Sequence, residues 1–203
     1  MTIADHTFEH SDELFDAALE EFSARGYAAA SLNTILKAAG MSKGQFYYYF
    51  KGKEELYFAL IELLITRKKA FLMTRIEPGD YQQDIFTFFH TWTRHGFAFA
   101  QAYPAINRFS ESFVAEKGND IYERVTQRFN FEDNDFVTQL IETAFARGEF
   151  RADLPLPFIK KTIGYLFTHV AEIADLHDAS EFEDNLHYLI EFMKSGLARS
   201  KQL

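Results

Sequence analysis

SLNTILKAAGMSKGQFYYYF, residues 31–50, holds two short helical patterns joined at a glycine. Leu32, Ile35, Leu36 and Ala39 form an apolar face at helical spacing, with Ser31 placed to cap it. Gly40 stands where the chain must turn, and glycine takes positive φ without a Cβ penalty. Ser42 is placed to cap a second helix that buries Phe46 and Phe50 at i, i+4 and leaves Lys43, Gln45 and Tyr48 free. Two short helices about a glycine turn, the second with a polar and aromatic outer face, read as a helix-turn-helix. Such a second helix fits a DNA major groove, N-terminal residues first.

Charge supports that reading. The window from Ser31 to Lys53 carries Lys37, Lys43, Lys51 and Lys53 and no acidic residue, so it is +4 in a chain of net charge −9. A local basic island is what a nucleic-acid surface needs. Lys43 suits guanine O6 and N7, and Gln45 suits a paired contact to adenine. Gly44 lets the backbone approach the groove floor. Tyr47 and Tyr48 offer hydroxyl donors to phosphate, and Lys53 offers an ammonium and a helix-start amide to one phosphate. Ser31 and Asn33 are candidate backbone anchors. Tyr47 also fits a core position, Tyr49 fits one better, and Lys51 reads as a solvated lysine.

Leu14–Leu56 resembles the DNA-binding region of the tetracycline-repressor (TetR) family. The shared elements are Arg25-Gly26-Tyr27, Ala39-Gly40-Met41-Ser42-Lys43-Gly44, Phe46-Tyr47 with Phe50, and Lys53-Glu54-Glu55-Leu56. The resemblance implies phosphate contacts at Tyr47 and Lys53, and base contacts at Lys43, Gly44 and Gln45. Three departures stand out. Ala30 replaces a common threonine, Leu36 replaces a small residue and is expected to widen the helix spacing, and Glu9 to Glu13 is acidic where relatives carry a basic arm. The last weakens general attraction to DNA.

Around this segment the chain reads as all-α. Apolar periodicity predicts helices at about 12–25 (capped by Ser11, ended by Gly26), 31–38, 42–49, 53–75, 80–102, 104–116, 119–148, 156–177 and 181–199, with the polar stretch Asn130 to Asp135 splitting the seventh. The expected organisation is a helix-turn-helix DNA-binding domain, 1–53, and a helical ligand-binding and dimerisation domain, 54–203. That boundary is functional, because the helix from Lys53 serves both parts.

Sixteen of the 23 phenylalanines follow Pro78. A core of large aromatics packs imperfectly without small fillers, so a cavity for an apolar or aromatic small-molecule effector is expected. Phe89, Trp92, Phe109, Phe113, Tyr165 and His169 are candidate lining residues. An all-round contact pattern on the last two helices, with a strip of small residues at Gly164, Thr168 and Ala171, suits burial on several sides. The family's pairing of its last two helices implies a homodimer, with Ile163, Phe167, Val170, Leu186, Leu189, Ile190 and Met193 as candidate interface residues. A two-fold dimer suits a palindromic operator with half-sites about 34–36 Å apart.

Several classes are disfavoured. The absence of cysteine excludes disulfides and thiolate sites. No metal site, cofactor site or nucleophile–base pair stands out, and His90 and His95, five apart, diverge on a helix. The polar N-terminus and the lack of a long apolar run give an expectation of a cytoplasmic protein, without membrane contact. A ligand-releasable repressor is the leading reading. A small helical carrier or enzyme without DNA binding is the alternative.

Overall fold

The computed structural model describes residues 8, 10–77, 79–129, 136–173 and 179–199. The fold is all-α. Its helices are α1 (Ser11–Ala29), α2 (Leu32–Ala38), α3 (Lys43–Tyr49), α4 (Lys53–Met73), α5 (Ile85–Ala102), α6 (Pro104–Ala115), α7 (Asp120–Phe129), α8 (Phe136–Ala146), α9 (Leu156–Thr168), α10 (Val170–Ile173) and α11 (Ala179–Leu197). A 3₁₀ turn at Asp80–Gln82 precedes α5. Among the described residues no helix is long and apolar enough to cross a membrane.

Two compact units emerge, and their division differs from the functional boundary at residue 53. One comprises Met1–Leu72 and Phe99–Phe131, the other Met73–Ala98 and Glu132–Leu203. In the first, α1 packs on both α2 and α6. Its core runs from Leu14, Phe22, Phe46 and Phe50 through Leu56, Tyr57 and Leu60 to Phe109 and Val125. Tyr57 sits edge-on between Phe22 and Phe109, with ring centroids 4.9 and 5.2 Å away. The start of α4 is buried from Leu56 to Ile61, whereas Thr66 to Ala70 are exposed.

The second unit gathers Phe86, Phe89, Ile141, Ile159, Ile163, Phe182, Leu186 and Met193. Phe182 stacks on Phe97 at 4.0 Å. The first turn of α5 has its free amides satisfied by carboxylates. Asp84 accepts from the Phe86 and Thr87 N–H groups, and Glu149 from that of Ile85 at 2.7 Å. Backbone bonds from Arg151 to Leu197 and from Arg199 to Glu149 tie the end of α11 to the segment before α9.

Several sequence expectations need revising. His10, at φ 70°, occupies the position before α1, and Ser11 is already helical. Gly26 does not end the helix outright: at φ 68° and ψ 172° it kinks the chain, and one more turn follows to Ala29. The long 156–177 helix breaks at His169, whose N–H and Nδ1 both lie at the Tyr165 carbonyl, 3.1 and 2.8 Å away. Residues 130–135 and 174–177, and the side chains of Thr168, Ala171 and Glu172, fall outside the described set.

Candidate nucleic-acid interface

Each turn of the helix-turn-helix is closed by local hydrogen bonds. The Ser31 hydroxyl accepts from Thr34 N–H at 3.3 Å, capping α2. At the far end Gly40 adopts φ 65°, Met41 N–H reaches the Leu36 carbonyl and Gly40 N–H that of Lys37. That is a Schellman-type ending, with Met41 and Leu36 both buried beside it. Leu36 thus has a packing role as the hydrophobic partner of the turn. Ser42 then closes a capping box. Its hydroxyl accepts from Gln45 N–H at 3.2 Å, and Gln45 Oε1 accepts from Ser42 N–H at 2.9 Å.

These caps fix which side of α3 faces out. Phe46 and Phe50 stack at 5.4 Å in the core. Lys43, Gly44 and Gln45 are exposed, Tyr47 is 56% exposed and Tyr48 82%. Tyr49 turns inward and stacks on Phe8 at 3.9 Å. A Cβ built at Gly44 would meet nothing within 4 Å. The protein's own packing therefore does not require glycine there. Asn33 is exposed on α2, and Ser31 is half-buried.

Two sequence-assigned contacts are used differently. Lys53 Nζ donates to the carbonyls of Tyr27, Ala28 and Ala30 at 2.7, 3.2 and 3.0 Å, which matches its three protons. It also lies 4.7 Å from the Tyr27 ring centroid. The ammonium thus clamps the end of α1, and only the Lys53 backbone amide, at the start of α4, remains for phosphate. Gln45 spends its carbonyl oxygen on the capping box, so a paired contact to adenine requires that arm to swing out. Beside them, Glu55 takes the Lys51 N–H at 2.7 Å.

A cluster not foreseen from the sequence surrounds the α1–α2 joint. Glu116, at the end of α6 and only 8% exposed, accepts from Tyr27 N–H at 2.7 Å. Arg124 pairs with Glu54 at 3.2 Å, and the Tyr27 hydroxyl donates to the same carboxylate at 3.5 Å. Burial, then the Glu54 charge, raises the Tyr27 phenol pKa above its ordinary value against the opposing pull of Arg124. Burial, then the charges of Glu116 and Tyr27, raises that of Tyr57 further, and the Tyr57 hydroxyl has no partner among the described residues. Glu116 lies 89 residues from Tyr27, and no short-range pattern announces such a pair.

The expected effector residues separate. Phe109 and Phe113 fill the core of the first unit, while Phe89 is buried and Trp92 half-buried in the second. Phe89 lies 4.3 Å from Phe167. Tyr165 is 63% exposed and stacks on the half-buried His169 at 4.0 Å. The expected dimer residues are also placed inward. Ile163, Leu186, Leu189, Ile190 and Met193 are buried in their own unit, and Phe167 and Val170 pack against them. The exposed apolar positions of α9 and α11 are instead Phe158, Tyr165, Tyr188 and Phe192.

Comparison with known proteins agrees with the geometry of the first helices. Residues 14–60 match the family model described as bacterial regulatory proteins, tetR family. The transcriptional regulator AcuR of Cereibacter sphaeroides is 45% identical over 53 residues, 26% of this chain and 24% of that protein. The match thus spans about a quarter of that relative's length. Across the whole fold, a TetR family transcriptional regulator from Chloroflexus aurantiacus superposes with a TM-score of 0.78 at 23% identity, covering 95% of this chain and 94% of that one. A gamma-butyrolactone receptor, described as ArpA-like, superposes with a TM-score of 0.62 at 18% identity over 94% and 89%. Caps, turn, outward face and family match coincide on one segment, so residues 14–60 form a DNA-binding region of the tetR family of bacterial regulatory proteins.

Proposed function

We propose that this protein is a repressor that binds a palindromic operator as a homodimer and is released by a small apolar or aromatic effector. The observation that carries the DNA-binding part is the outer face of α3. Lys43, Gly44, Tyr47 and Tyr48 are all exposed on one short helix whose caps and core partners are complete without them. Such side chains contribute little to the fold and are available to a duplex. Lys43 reads guanine, the Gly44 backbone comes close to the base edges, and the tyrosine hydroxyls and the Lys53 amide hold phosphates.

Homodimerisation is supported by the exposed aromatics of α9 and α11, which are costly to leave in water. The effector part is supported by α4, one continuous helix that begins beside α3 and continues into the exposed stretch Thr66–Ala70. A ligand favouring another placement of that helix lowers operator affinity, typically by about 1–3 kcal/mol of coupling. The fold shared with a gamma-butyrolactone receptor fits a small-molecule effector.

The test is selection of duplexes from a random pool, followed by binding measurements. The wild-type protein should enrich an inverted repeat, and Lys43→Ala with Tyr48→Ala should weaken binding to it about 100-fold with unchanged helicity. Undiminished sequence-specific binding by the double variant would overturn the assignment to α3.

A further inference from the structure

The residues from Gly26 to Ser31 form the joint between α1 and α2, and three carboxylate or ammonium groups converge on it. Gly26 turns the chain out of helical geometry at ψ 172°, which directs the next N–H away from the helix ladder. Glu116 receives that N–H, from Tyr27, at 2.7 Å. Its other oxygen accepts from Asn119 Nδ2 at 2.6 Å, so the carboxylate is itself held in place. Lys53 takes the carbonyls of Tyr27, Ala28 and Ala30. Glu21 takes the N–H of Ser31, the residue that caps α2. The fit is close enough that a Cβ on Gly26 would lie 2.8 Å from Glu116 Oε1.

We infer that Glu116 is a positioning residue for the reading head: it holds the joint from which α2, and with it α3, leaves α1. This rests on the DNA-binding role proposed above for α3. The reasoning is one of constraint. The Gly26 kink turns the Tyr27 backbone donor away from the helix, and a buried carboxylate from a helix end far along the chain satisfies it. A charge-assisted bond of this kind is short and directional, and losing its acceptor leaves a part-buried N–H without a partner. A second bond from α6 to α1, from the Ser112 hydroxyl to the Phe22 carbonyl, lies before the kink.

Glu116→Ala, Glu116→Gln and, as a control, Ser112→Ala separate positioning from general packing. Hydrogen exchange of the peptide containing Tyr27 to Ala30 and affinity for a duplex selected by the wild-type protein are the two readouts. Glu116→Ala should speed exchange at the joint at least tenfold and weaken duplex binding about tenfold. Glu116→Gln, which keeps an acceptor for Tyr27 N–H, should stay within about threefold of wild type in both. Ser112→Ala should leave both within about twofold. The inference is overturned by unchanged joint exchange in Glu116→Ala, or by equal effects of Glu116→Ala and Ser112→Ala. If the wild-type protein selects no duplex, the DNA-binding role falls, and joint exchange alone still decides whether Glu116 holds the kink.

Discussion

Helix α3 and the pair α9 and α11 both present exposed aromatic rings, yet their surroundings differ. On α3, Tyr47 and Tyr48 stand beside Lys43 at a helix start whose amides are organised by a capping box. Their hydroxyl ends suit phosphate oxygens in a wet interface. On α9 and α11, Phe158 and Phe192 have no polar end, and Tyr165 and Tyr188 accompany them. Such rings suit burial against another apolar surface, at about 25 cal/mol for each Å² removed from water. On the proposed reading, the first face meets a charged polymer and the second a copy of this chain.

That contrast can be broken most decisively at α11. Replacing Tyr188 and Phe192 together by serine should raise the dimer dissociation constant about 100-fold, or about 3 kcal/mol. Sedimentation would show monomers of native helicity, because neither side chain is part of its unit's core. A variant that stays dimeric at micromolar concentration would remove this face from consideration.

A smaller effect sharpens the polar side of the comparison. Lys53→Met should cost about 2 kcal/mol in denaturant unfolding without any DNA present, since three carbonyls lose their donor. A lysine reserved for phosphate would leave the unfolding midpoint where it was.

The smallest effect concerns acid. Burial pushes the Asp84 carboxyl up, but hydrogen bonds from the Thr87 hydroxyl and from the Thr87 and Phe86 N–H groups outweigh it and hold its pKa below the ordinary 3.8. The unfolded chain then takes up this proton first as pH falls. The stabilisation is complete above about pH 4 and is lost as pH falls through the lower folded value. Because Asp84 is solvent-exposed, the contribution should stay below about 1 kcal/mol. Asp84→Asn should flatten that part of the stability curve, and an unchanged acid limb would show that the cap does not matter.

The helix-turn-helix was legible in the sequence because its determinants are local. Ser31, Gly40, Ser42, Phe46 and Phe50 act through neighbours within a few residues. The Ser42–Gln45 spacing is also that of a capping box, which reading Gln45 as free for adenine overlooked. What escaped was long-range. Lys53 reaches back 23 to 26 residues to the α1–α2 joint, and Glu116 reaches 89. On α9 and α11 the all-round apolar pattern did not say which positions face the chain's own core. Ile163, Leu186 and Met193, expected at a dimer interface, went to the chain's own core, and Tyr165, expected to line a cavity, is exposed.

Gly44 carries a consequence of another kind. Because its missing side chain leaves open space, folding exerts no veto over what stands there. On the proposed reading of α3, retargeting this protein to a new operator can therefore begin at residues 43, 44 and 48, where libraries would trade sequence preference without drawing down thermodynamic reserve. The Lys53 clamp and the Glu116 contact are the parts such an engineer would leave alone.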